Sequence, residues 1–74
     1  MDPKDIFELI IKADEKLKYA TSGKADVRRE QARELLLRAR EEARTIGNDA
    51  LVEQAETRLA DLASGPHTRD GEPG

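Results

Sequence analysis

Few residues in this chain are of a kind that does covalent or acid–base chemistry. There is one histidine, His67, no cysteine, and two serines, Ser22 and Ser64. A histidine moves protons near neutral pH only when neighbours fix its tautomer and orientation. His67 stands between Gly65 and Gly74, a stretch with two prolines, three glycines and no aliphatic side chain. Such a segment cannot offset its ordering entropy, so a disordered tail over 65–74 is expected, with His67 in solvent. Ser22 and Ser64 fall where helices are expected to end, and neither has a base nearby in sequence. The adjacent carboxylates Asp14-Glu15 and Glu41-Glu42 project about 100° apart on a helix, so neither pair converges on a metal unaided. No Glu-x-x-His pair of the kind used in bundle metal sites occurs, and Gly23 and Gly47 are too isolated to form a phosphate loop. The expectation is a chain that is not an enzyme, with no catalytic residue, no metal and no cofactor.

The charged residues offer a second kind of chemistry, recognition. Arg28, Arg29, Arg33, Arg38, Arg40 and Arg44 lie within one stretch, interleaved with Asp26, Glu30, Glu34, Glu41 and Glu42. The two signs nearly cancel there, and the whole chain has a formal net charge of -3. Phosphate neutralisation therefore has little to work with, and Phe7 and Tyr19, the only aromatics, make no stacking platform. Nucleic acid is an unfavoured partner, kept as an alternative because arginines on one helix can line a groove.

Two apolar features fall off the faces expected to be buried. At 100° per residue, Leu37 points about 150° away from the main apolar stripe of its helix, on a side shared with Arg33, Arg40 and Arg44. A leucine framed by guanidinium groups suits an acidic amphipathic helix or another copy of the chain. Phe7 and Ile11, four residues apart, are likewise displaced from the stripe of the first helix. They either widen a core-facing surface or form a seam for self-association.

Three helices are needed to position these groups. Asp2-Pro3 is a strong helix start, an N-cap acceptor followed by a residue whose missing N–H is no loss at the first helical position. Ile6, Ile10, Ala13, Leu17 and Ala20 then recur at spacings of four and three, and Gly23 follows as a C-cap. A second helix after Asp26 carries Ala32, Leu35, Leu36, Ala39, Ala43 and Ile46 on its main face, with Gly47 as its stop. Asn48 or Asp49 caps a third, with the apolar set Leu51, Val52, Ala55, Leu59, Leu62 and Ala63, closed by Gly65-Pro66. No strand-like alternation is sustained. The fold expected is all-α, a three-helix antiparallel bundle over residues 1–64 with helices near 3–21, 27–46 and 49–64.

Composition sets the limits around this bundle. Charged residues make up 39% of the 74 and aromatic ones 3%, so the core must be thin and rich in alanine. Domains this small retain only a few kcal/mol, about 3–5, after entropy is subtracted. Self-association or a partner would relieve the shortage. Intrahelical pairs such as Glu8 with Lys12, Asp14 with Lys18 and Glu34 with Arg38 add about 0.2–0.5 kcal/mol each. Apolar runs such as Leu9 to Ile11 and Leu35 to Leu37 fall far short of the roughly 20 residues that span a bilayer. The opening Met1-Asp2-Pro3 lacks the basic and apolar regions of a secretory signal, so the cytoplasm is the expected location.

From Ala32 to Ala63 the chain resembles a tetratricopeptide-type (TPR-like) helical repeat. Ala32, Leu36 and Ala39 stand at the small, large and small positions of a repeat's second helix. Glu42-Ala43-Arg44 and Ile46-Gly47-Asn48-Asp49 are similar to the turn into the next repeat, and Leu59-Ala60 with Ala63 to its first helix. The turn proline of such repeats is absent. At the same coarse level the chain is similar to three-helix modules of the microtubule-interacting-and-trafficking type, in which a partner helix lies in a groove between helices. Both resemblances imply protein contacts rather than catalysis. The expected function is a small protein interaction module that docks a partner helix through Arg33, Leu37, Arg40 and Arg44 or self-associates through Phe7 and Ile11. The alternatives are a nucleic-acid-binding or regulatory factor and an accessory subunit of an enzyme complex.

Overall fold

The computed structural model describes residues 1–18 and 25–64. Three helices occur in them, α1 (Pro3–Lys18), α2 (Ala25–Thr45) and α3 (Asp49–Ser64), and no strand. Residues 19–21, into which the first helix was expected to extend, lie outside the described residues. So do Ser22 and the expected tail over 65–74 with His67.

The α1 start follows from Asp2-Pro3. The Asp2 carbonyl accepts the first intrahelical hydrogen bond, from the Ile6 N–H at 3.0 Å, and Pro3 opens the helix. α2 begins at Ala25, which places Asp26 inside its first turn, where a carboxylate suits the positive end of the helix dipole. The turn from α2 to α3 takes three residues and satisfies both helix ends. Gly47 adopts a left-handed φ of 70°. Its N–H donates to the Arg44 carbonyl at 3.0 Å, and the Asn48 N–H donates to the Ala43 carbonyl at 2.9 Å. These are the two bonds of a Schellman motif. Asn48 then caps α3, its Oδ1 accepting from the Leu51 N–H at 3.1 Å.

α2 is the middle helix. It packs extensively against both α1 and α3, which touch each other much less. Early α2 lies beside late α3, since the Arg29 guanidinium donates to the Leu62 carbonyl at 3.3 Å, while Arg44 near the end of α2 reaches Glu56. These pairings run α2 and α3 antiparallel. Adjacent helices with short connections pack this way most readily.

One core cluster joins Ile6, Ile10 and Ala13 of α1, Ala32, Leu36, Ala39 and Ala43 of α2, and Leu51 and Ala55 of α3. Among the described residues only Ile6, Ile10 and Leu36 are large and fully buried, so the alanines of α2 set the spacing. A small side chain on the middle helix lets two neighbours approach it closely without voids. Leu9, Leu17, Leu35, Val52, Leu59 and Leu62 pack around this centre, half-buried. Two residues expected in the core are exposed. Ile46 is past the last turn of α2, and Ala63, in the last turn of α3, borders the open groove it shares with Asp26 and Arg29 instead of the core.

Candidate docking surfaces

Phe7 and Ile11 sit one residue beyond the buried Ile6 and Ile10, a rotation of about 100° that carries them off the core face. Phe7 is 43% exposed and Ile11 38% exposed. They therefore do not widen the core, which was one of the two roles open to them. Both line a shallow surface depression with Lys4, Glu8, Lys12 and Glu15, all exposed residues of α1. None of these four charged side chains forms an ion pair in the described residues, including the Glu8–Lys12 pair that the spacing suggested. The outer face of α1 thus presents an apolar pair framed by four uncommitted charges.

The face of α2 carrying Arg33, Leu37, Arg40 and Arg44 runs along the seam with α3. Arg33 borders a groove of about 350 Å³ shared with Leu59 and Leu62, and Arg44 bridges to Glu56 at 3.4 Å. This placement explains the burial along the strip. Leu37 is half-buried yet outside the cluster packed on the core. Arg40 is half-buried, and its Nε is a buried donor with no hydrogen-bond partner. The exposed Arg33 and Arg44 are each held by a glutamate one turn earlier, Arg33 by Glu30 at 3.7 Å and Arg44 by Glu41 at 3.8 Å. The structure therefore brings the four residues onto one face, and two of its three cations already have carboxylate partners.

Two polar contacts between helices had no signal in the sequence. Arg58 of α3 donates from Nε to Asp14 Oδ1 of α1 at 2.8 Å, while its Nη1 donates to the Gln54 carbonyl and to Gln54 Oε1 at 3.2 and 3.1 Å. A short, charge-assisted bond with the donor fixed by its own helix is the strong form of such a contact. Arg29 supplies a cation to the carboxyl end of α3, whose own last turn has none. These partners are 44 and 33 residues apart, beyond the reach of any helical spacing rule.

Among the described residues no three carboxylates or imidazoles gather as a metal ion would require. No described helix is long and apolar enough to cross a membrane. Compared with protein-family models, curated proteins and solved structures, the chain matches none.

Proposed function

We propose that this chain is a protein interaction module without chemistry of its own, and that the outer face of α1 is where it docks a partner helix. One observation carries the reading: Phe7 and Ile11, one turn apart, are both more than a third exposed on a bundle whose other α1 isoleucines are fully buried. Scattered exposed leucines are ordinary on protein surfaces, but an aromatic and a β-branched residue at helical spacing give a partner two adjacent anchors. The tetratricopeptide-like pattern of α2 and α3 belongs to the same proposal, since such repeats serve as contact scaffolds.

The strip on α2 supports a second docking reading. The half-buried Leu37, flanked by the exposed Arg33 and Arg44, gives an acidic amphipathic helix an apolar contact edged by cations. Nucleic-acid binding has less support, because Arg33 and Arg44 already face glutamates.

Affinity capture separates these readings. Baits would be the wild type, Ile11→Glu, and Arg33→Glu with Arg44→Glu. Loss of recovered protein with Ile11→Glu alone supports docking on α1, and loss with the arginine variant alone moves the site to α2. Equal recovery with all three removes both. Binding of nucleic acid that falls steeply from low to physiological salt would favour the arginine-based alternative.

A further inference from the structure

We infer that the occupant of the α1 face is the same face of a second copy, with the two α1 helices antiparallel about a two-fold axis. The inference rests on the docking role proposed for Phe7 and Ile11, and it comes from the charges around them. Lys4, Glu8, Lys12 and Glu15 alternate in sign along the exposed face, and none is ion-paired within the described residues.

A two-fold axis passing midway between residues 9 and 10 places Lys4 level with Glu15 of the second copy. Glu8 comes within one residue of Lys12 of the second copy, a height difference of about 1.5 Å that long side chains absorb. Phe7 and Ile11 of the two copies meet between these pairs with the same offset. Each of these four charges then opposes its complement, and symmetry makes each pair occur twice. A parallel arrangement in register sets Lys4 level with Lys4 and Glu15 level with Glu15, so none of the four charges comes level with its complement. Charge thus selects the antiparallel pairing over the parallel one.

The size of the face sets the strength. One 16-residue helix is about 24 Å long and covers less than the roughly 800 Å² per partner of a standard interface. The dimer is therefore weak and concentration-dependent, and it uses side chains outside the core cluster, leaving the bundle itself unchanged.

Sedimentation of the full chain between about 10 µM and about 1 mM, the range where so small an interface dissociates, tests this. The wild type is expected to move from monomer towards dimer mass, and Ile11→Glu to remain monomeric. A charge exchange tests the geometry. One variant carries Lys4→Glu and Lys12→Glu, the other Glu8→Lys and Glu15→Lys. Each alone is expected to stay monomeric, and an equimolar mixture to form a heterodimer. All the substituted positions are exposed, and an unchanged helical circular dichroism signal shows that each variant folds.

A wild type that is monomeric throughout the range overturns the inference. So does a dimer indifferent to Ile11→Glu, or acidic and basic variants that self-associate as readily as they pair. The capture experiment keeps the broader reading separate. A monomeric wild type whose captured partner is lost with Ile11→Glu ends the self-pairing and leaves the docking face, whereas a monomer with capture unaffected ends both.

Discussion

Gly47 and Asn48 do more for this fold than their size suggests. Gly47 has a φ of +70°, and a Cβ added there meets nothing within 4 Å. Any penalty for Gly47→Ala is therefore backbone strain alone, expected at about 1 kcal/mol and visible as a lower denaturation midpoint. Asn48 uses its N–H to end α2 and its side chain to begin α3. Asn48→Ala should destabilise by about 0.5–2 kcal/mol, while Asp49→Ala, which removes only a carboxylate from the first turn, should cost a few tenths. A helix stop at Gly47 was legible because glycine alone tolerates that φ without penalty. The choice of cap was not, since Asn48 and Asp49 both carry an acceptor and the Schellman geometry decides between them.

For the helices, the contrast between adjacent leucines on α2 is the sharpest test. Leu36 is fully buried among residues from all three helices, and Leu37 is half-buried outside that cluster. Leu36→Ala should cost about 2–5 kcal/mol by transfer and cavity terms together, and Leu37→Ala well under half as much. Equal costs would place Leu37 in the core after all. The contact of α3 with α1 has its own test in Arg58 and Asp14. Both side chains retain partial exposure, 29% and 41%, so solvent screens them and a double-mutant cycle should yield a coupling of only about 0.2–1 kcal/mol. Added salt should reduce it.

The whole molecule is an alanine-rich core enclosed by charge, with three large side chains fully buried among the described residues. Its charges are divided: α2 carries the arginines, whereas α3 has four acids, Asp49, Glu53, Glu56 and Asp61, against Arg58. The contact of Arg44 with Glu56 is one expression of that division. A bundle with so small a core has only a few kcal/mol in hand, so association that favours the folded state should register in its melting. The wild-type Tm is expected to rise with protein concentration and the Ile11→Glu Tm to stay constant. Identical behaviour of the two would count against the α1 dimer at the level of the intact chain.

The helical character, the start at Pro3, the stop at Gly47 and most of the buried stripe are properties of the sequence itself. They depend on bonds and spacings within four residues, so Ile6, Ile10, Ala13, Ala32, Leu36, Ala39 and Ala43 can be read along the chain. What the tertiary structure decided is how much of each helix its neighbours cover. It left Phe7 and Ile11 outside the core, half-covered Leu37 and Arg40 along the α2–α3 seam, left Ile46 and Ala63 exposed, and joined Asp14 to Arg58 and Arg29 to Leu62. The physical reason is one of range. A helix's periodicity names its apolar face, but the arc that is buried depends on where other helices lie around it, and those are fixed by contacts tens of residues away.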